Sequence, residues 1–219
     1  MSTVHLASSA RVNVQLPTQA IVLDVVERTI VFCFFGCFAI RTYNHFEYSQ
    51  DAGTLLLLFS ETLPFIFVLI RPLATAISTR PTDWIFGLAG SIGPMLMVMA
   101  PLDPIAPCYV WYPLVIVGMC IQLSAKVFLG LSFGMVAANR GVKVAGPYRL
   151  VRHPMYAGYT LSHVGVLLGM PSITNAMLYL GVFVLQIIRI SREECVLRQD
   201  RGYRDFAERV RYKLVPGLY

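Results

Sequence analysis

Charged residues are scarce in this chain. Only 14% of its 219 residues are Asp, Glu, Lys or Arg, whereas soluble domains contain about 25%. Hydrophobic residues make up 56% of the sequence, and the mean hydropathy is +0.63. This composition argues against a soluble protein and indicates an integral membrane protein, of a length that suits one helix bundle without a large soluble domain.

The signatures of several other protein classes are also missing. The five cysteines show no paired spacing of the kind that zinc sites and disulfide frameworks have. The chain has no Walker loop, no dinucleotide-binding glycine fingerprint and no HExxH motif. Its N-terminus lacks the basic, apolar and small-residue zones of a signal peptide. We therefore expect no metal site.

Six apolar segments predict an all-α fold, a polytopic membrane helix bundle. They cover about residues 22–40, 54–70, 84–100, 110–130, 157–170 and 173–188. The last two are shorter than the roughly 20 residues of a straight span, and little more than Pro171 and Ser172 separates them, which predicts a short helical hairpin. We predict N-terminal transmembrane helices in residues 1–130. Residues 131–219 would form a C-terminal part that carries the functional motifs and ends in a cytoplasmic helical cap.

Positive charge is concentrated in the last part of the chain. Up to Ala125 there are 5 Lys and Arg against 7 Asp and Glu, and from Lys126 onward there are 13 against 5. Cytoplasmic loops of membrane proteins carry an excess of Lys and Arg, so this pattern predicts that the basic C-terminal part is cytoplasmic. If all six segments cross the membrane, most of the basic loop residues fall on that same side, and both termini are predicted to be cytoplasmic. No nucleic-acid-binding motif accompanies the charge, and we expect no nucleic-acid partner.

A first polar cluster lies in residues 146–158, where two arginines, a histidine and two tyrosines stand between apolar segments. Pro154 disfavours helix at His153 and can begin a helix itself. The first turn of that helix has free N–H groups that attract anions, and Arg152 adds a forked cation. The alternative interpretation of this cluster taken alone is interfacial anchoring by arginine and tyrosine.

A second cluster follows the predicted hairpin. Arg189 and Glu193 are four residues apart and share a helix face, whereas Glu194 is predicted to point elsewhere. An ordinary surface ion pair is the alternative. A helical hairpin returns the chain to the side it left, so residues 140–156 and 189–212 are predicted to lie on the same cytoplasmic face and to form the active site together.

Other polar residues lie within the apolar segments. A carboxylate as deep in the membrane as Glu61 suggests a functional role, and the alternative is a packing role beside Pro64, which we favour. Gln122, Lys126 and Gln186 are predicted to make polar contacts between helices. His163 is predicted to be a core histidine rather than a metal ligand.

The combined motifs resemble the isoprenylcysteine carboxyl methyltransferase family of integral membrane enzymes. The resemblance runs from about Leu131 through Gly146-Pro147-Tyr148, the run Arg152–Gly158 and Arg189…Glu193-Glu194 to Pro216-Gly217, roughly the last 90 residues. It implies S-adenosylmethionine as methyl donor in a cytoplasm-facing pocket, without a metal, and an acceptor that enters from the bilayer. It also implies that Arg152, Arg189 and Glu193 are catalytic. The implied donor-binding residues are Gly146, Tyr148, His153, Tyr156, Gly158, Glu193 and Glu194.

The chemistry of the residues agrees with this implication. The faces of Tyr148 and Tyr156 suit a sulfonium, the carboxylate of Glu193 suits an ammonium, and the turn at residues 152–158 suits a carboxylate. A carboxylate or thiolate acceptor needs no general base. For a phenol or an amine, the candidate bases are Glu194, Tyr156 and His153.

The acceptor stays open at this stage. An isoprenylcysteine-type carboxylate, supplied by a lipidated substrate, is the first expectation, and a small thiol, a phenolic lipid or a phospholipid amine is nearly as plausible. Two other classes are alternatives: an NADPH-dependent membrane reductase of the sterol type, and a non-enzymatic transporter or scaffold that uses Glu61. The short chain argues against the reductase. The transporter hypothesis predicts that Glu193 is dispensable.

Overall fold

The computed structural model describes residues 18–50, 58, 62, 65–71, 76–77, 80–97, 103–134, 138–139 and 143–217. Within them the chain forms α1 (Thr18–Ser49), α2 (Pro81–Ile92), α3 (Cys108–Leu129), α4 (Pro154–Gly169), α5 (Ile173–Leu197) and α6 (Arg201–Arg209). Residues 65–70 are also helical. The prediction that the fold is helical is therefore confirmed.

The described residues also include one short β pair. Strand β1 (Ala76–Ile77) runs antiparallel to β2 (Ala138–Asn139), with Ala76 opposite Asn139. Four residues cannot form a sheet layer, and the pair simply satisfies backbone groups where two connecting segments run side by side. It links the segment before α2 to the segment after α3.

Proline and aspartate define several helix ends. Pro81 and Pro154 occupy the first turns of α2 and α4, where a missing N–H costs nothing. The side chain of Asp200 caps α6 by accepting from the N–H groups of Gly202 at 2.7 Å and Tyr203 at 3.4 Å. α2 is shorter than the predicted segment 84–100, because a 3₁₀ turn at Gly93–Leu96 that contains Pro94 follows it.

Among the described residues, two helical stretches are long and apolar enough to cross a membrane. They are Cys108–Ser132, with a hydropathy of 2.0, and Ile173–Leu197, with 1.7. Only 28% and 33% of their most apolar windows are buried within the protein, so their apolar surfaces are available to lipid. The predicted count of six spans, the domain boundary at residue 130 and the cytoplasmic cap stay predictions.

The predicted hairpin is confirmed. α4 and α5 are joined by residues 170–172. The predicted apolar segment ends near residue 188, and α5 continues beyond it to Leu197, as the predicted helical pairing of Arg189 with Glu193 requires. Arg189, Glu193 and Glu194 therefore all lie on the last turns of α5.

Glycine allows α3 and α4 to approach backbone to backbone. A Cβ atom on Gly158 would lie 2.6 Å from both the carbonyl oxygen of Gly118 and the N–H nitrogen of Gln122. One on Gly165 would lie 2.8 Å from the backbone nitrogen of Val115. Small residues at such contacts are typical of packed membrane helices. This contact fixes α4, and therefore the first cluster, against α3.

Candidate active site

The two predicted clusters meet, as the hairpin argument requires. The chain before α4 is also held by the C-terminal tail. The N–H of Arg152 donates to the carbonyl of Tyr212 at 2.9 Å, and that of His153 donates to Lys213 at 2.9 Å. The first cluster is therefore enclosed between α5 and the residues that follow α6.

Arg152 and Glu194 form the most buried ion pair of the site. The Arg152 Nε atom donates to Glu194 Oε1 at 2.7 Å, and the side chains are 5% and 7% exposed. Arg152 Nη1 also donates to the carbonyls of Val210 at 2.9 Å and Arg211 at 2.7 Å. Arg152 thus joins α4, α5 and the tail. Glu194 thus points away from the face shared by Arg189 and Glu193, as predicted, and its carboxylate turns inward to Arg152.

His153 lies between the two carboxylates. Its Nε2 atom is 3.3 Å from Glu194 Oε1, and its Nδ1 atom is 3.9 Å from Glu193 Oε2. The centre of its ring is 5.9 Å from that of Tyr156. His153 therefore joins the two halves of the site through contacts with both glutamates.

Glu193, Tyr156 and Arg189 form the more accessible half of the site. The Tyr156 hydroxyl donates to Glu193 Oε1 at 2.5 Å. Arg189 Nη2 lies 3.7 Å from the same oxygen, and its guanidinium lies 5.4 Å from the centre of the Tyr156 ring. The Glu193 side chain is 25% exposed, whereas Tyr156 is buried. Glu193 therefore has carboxylate surface left for a ligand.

Two further tyrosines line the cluster without serving as bases. Burial raises the pKa of Tyr148 well above its usual range, and the charge of Glu193 adds to the effect. Burial, reinforced by Glu194, likewise raises the pKa of Tyr203. Both phenols therefore stay protonated near neutral pH. The Tyr148 hydroxyl reaches the carbonyl of Ala125 at 3.4 Å, and that of Tyr203 is buried with no hydrogen-bond partner in the described residues.

The two predicted donor-binding glycines lie at packing contacts. Gly146 has φ of +58°, and a Cβ atom there would lie 2.5 Å from the Phe128 ring. Gly158 faces α3 at the backbone contact with Gly118. Their direct roles in donor binding stay predictions, and the structure gives each a reason to be glycine that needs no ligand.

Sequence reasoning missed a buried ionic cluster between α1 and residues 65–71. Arg71 Nη2 binds Asp24 Oδ1 at 3.0 Å and Glu27 Oε2 at 2.6 Å, with all three side chains at most 2% exposed. Arg71 Nη1 also donates to the carbonyl of Phe133 at 2.8 Å. The available signal was the pair of carboxylates one turn apart in an apolar helix, which in such surroundings require a cation.

The polar residues predicted within the apolar segments lie in different surroundings. Glu61 lies outside the described residues. Lys126 is fully buried with its Nζ atom 5.1 Å from the centre of the Tyr159 ring, which confirms a contact between α3 and α4. Gln186 accepts from Thr160 at 3.5 Å, across α4 and α5. His163 stacks on Tyr179 at 4.2 Å, as expected of a core histidine.

Metal binding finds no support in the described part of the chain, where no group of three or more His, Cys, Asp or Glu side chains is arranged to hold an ion. The expectation of metal-free chemistry stays a prediction.

A family model matches a segment of the chain that contains both clusters. The family model described as phospholipid methyltransferase matches residues 106–203. This family includes membrane methyltransferases like isoprenylcysteine carboxyl methyltransferase, so the resemblance inferred from the sequence is confirmed. The matched segment runs from just before α3 into α6 and contains both clusters. It also begins earlier than the resemblance did, since it includes α3. A search of curated proteins finds no match.

Proposed function

We propose that the protein transfers a methyl group from S-adenosylmethionine to a lipophilic acceptor at the membrane. The observation that carries the proposal is the meeting of Tyr156, Arg189 and Glu193 beside the buried pair of Arg152 and Glu194, within the segment that the methyltransferase family matches.

The side chains present suit this donor. S-Adenosylmethionine supplies a methyl group on a sulfonium, together with an ammonium and a carboxylate. Glu193 is a partly exposed carboxylate that would hold the ammonium. The first turn of α4 has no side-chain cap, so its N–H groups suit a carboxylate. The hydroxyl of Tyr203, which is buried and has no hydrogen-bond partner among the described residues, is a further donor.

The contacts of Arg152 suggest that it acts as a positioning residue. Nε and Nη1 of its guanidinium are committed to Glu194 and to two tail carbonyls, so they are occupied before any acceptor arrives. Arg189 is better placed to orient an acceptor, because it borders the accessible Glu193. In this account Glu194 holds Arg152 and His153, and it therefore supports the donor site through them.

We assign the acceptor to the lipid-type substrates, with two candidates. An isoprenylcysteine-type carboxylate fits the cation of Arg189 and needs no general base. A phospholipid amine is favoured by the description of the matched family and needs a proton acceptor, for which His153 lies between two carboxylates. In either case the acceptor would come from the bilayer, and the basic C-terminal part would place the site and both termini on the cytoplasmic side.

The test is methyl transfer by the purified protein in lipid nanodiscs. S-Adenosylmethionine with a radiolabelled methyl group is supplied together with N-acetyl-S-farnesylcysteine or phosphatidylethanolamine, and the lipid phase is extracted. We expect label in one lipid product, lost in Glu193→Gln and kept in Glu208→Gln, whose exposed carboxylate lies on α6. Donor binding without transfer to either acceptor would refute both candidate substrates. Absence of donor binding would refute the methyltransferase itself.

A further inference from the structure

Arg189 is held from outside the segment that the methyltransferase family matches. Its Nη1 atom lies 3.2 Å from the Ser91 hydroxyl of α2, and the matched segment begins only at residue 106. The position of this guanidinium therefore depends on a helix to which the family similarity gives no role.

The Ser91 hydroxyl has the orientation that this contact requires. It donates its own hydrogen to the carbonyl of Gly87 at 2.9 Å. An oxygen whose hydrogen is committed to the backbone presents its lone pairs to other donors. The lone pairs of Ser91 are thus aimed at Nη1 of Arg189.

Gly90 provides the space in which the Arg189 side chain lies. A Cβ atom on Gly90 would be 3.2 Å from Cδ and 3.4 Å from Nη1 of Arg189. Gly93, one turn later, faces Val182 of α5 instead, where a Cβ atom would lie 2.6 Å from a methyl carbon. α2 and the 3₁₀ turn that follows it therefore each make a close contact with α5, the first with the arginine and the second with an apolar residue.

Arg189 also interacts with residues of the site and with a distant acid. Its guanidinium lies over the Tyr156 ring, and its Nη2 atom faces Glu193. Glu27 of α1 also interacts with it electrostatically. Ser91 thus binds Nη1 of the Arg189 guanidinium, while Nη2 faces Glu193, the residue to which we assign the donor.

We propose that Gly90 and Ser91 of α2 are positioning residues that fix Arg189 for the acceptor, so that the N-terminal helices control the acceptor step and not donor binding. The proposal rests on the proposed function, since it assigns Arg189 to an acceptor. It explains how a helix outside the family-matched segment would influence which lipid is methylated.

The kinetic test compares Ser91→Ala, Ser91→Thr, Gly90→Ala and Gly93→Ala in nanodiscs. With the acceptor that is methylated, we expect Ser91→Ala to lower kcat/KM about tenfold, as for loss of one hydrogen bond to a charged group. Its affinity for S-adenosylmethionine should stay within twofold, and Ser91→Thr should restore activity because it keeps the hydroxyl. Gly90→Ala should lower kcat/KM as well, because Arg189 must shift. Gly93→Ala disturbs helix packing alone, so it should lower the unfolding temperature without a selective effect on the acceptor.

A spectroscopic test shows whether Ser91 positions Arg189, and it needs no substrate. In protein labelled with ¹⁵N-arginine, a guanidinium held on both sides gives resolved Nη–H signals, and those of Arg189 are identified by their loss in Arg189→Lys. We expect the signals to broaden or merge in Ser91→Ala and to persist in Ser91→Thr. Unchanged signals in Ser91→Ala, or an equal loss of donor affinity and acceptor kcat/KM, would overturn the proposal. If wild type binds no S-adenosylmethionine, the proposed function fails, while the spectrum still reports on the contact.

Discussion

Removing the charge of Glu194 tests whether the two clusters form one buried unit. Glu194→Gln keeps the shape of the side chain but leaves the guanidinium of Arg152 without its anion. Both side chains are less than a tenth exposed, and breaking a buried pair on one side costs about 3–5 kcal/mol. Arg152 keeps its hydrogen bonds to two tail carbonyls. We therefore expect the free energy of unfolding to fall by about 3 kcal/mol, the lower end of this range.

That loss is large enough to measure in detergent by thermal unfolding. For a chain of this size, 3 kcal/mol corresponds to a Tm lower by about 6 to 12 °C. Arg198→Met is the matched control, because Arg198 faces the same carboxylate at 3.5 Å but is 53% exposed. Its removal should cost less than about 1 kcal/mol.

A double-mutant cycle completes this test. Because Arg152→Met together with Glu194→Gln removes both charges, the double variant should lose less stability than the sum of the single variants, by about 1 kcal/mol or more. Additive losses of stability would refute the reasoning that the pair of Arg152 and Glu194 joins α4 to α5. A Tm shift in Glu194→Gln no larger than that in Arg198→Met would refute it as well.

Three further predictions concern packing and charge elsewhere, each measured by thermal unfolding. Gly158→Ala should destabilise the protein by about 1–3 kcal/mol because it forces α3 and α4 apart. Gly181→Ala should be neutral or stabilising by up to about 1 kcal/mol, because no atom of the described residues lies within 4 Å of the added Cβ; equal shifts in Tm would contradict the close contact at Gly158. Arg71→Met leaves two buried carboxylates without their shared cation and should lower the free energy of unfolding by at least about 3 kcal/mol, and an unchanged Tm would show that the cluster is not formed. Tyr203→Phe removes a buried hydroxyl that has no partner among the described residues, so Tm should be unchanged or higher, and a lower Tm would reveal a hydrogen bond within the protein.

The hairpin and the meeting of the clusters were predictable because they follow from local signals. Pro154 marks the start of α4, Pro171 and Ser172 mark a break, and a hairpin must return to the same face. None of this requires knowledge of the rest of the bundle. The pairing inside the site was not predictable, since helical spacing alone placed Arg189 with Glu193 and left Glu194 without a partner.

Tertiary context accounts for what the sequence did not reveal. The tail carbonyls that bind Arg152 and the α2 hydroxyl at Arg189 come from distant parts of the chain. No periodicity predicts such contacts. The glycines illustrate the same limit: Gly158 belongs to a motif that implies donor binding, yet its neighbours are backbone atoms of α3, which only the fold can show.

The most direct test of the central claim is calorimetric titration of S-adenosylmethionine into the detergent-purified protein, with Glu193→Gln and Glu208→Gln titrated in parallel. The account predicts that wild type and Glu208→Gln bind alike, and that Glu193→Gln binds at least tenfold more weakly, a loss of about 1.4 kcal/mol. Equal binding by all three proteins would place the donor elsewhere. No binding by the folded wild type would contradict the methyltransferase assignment.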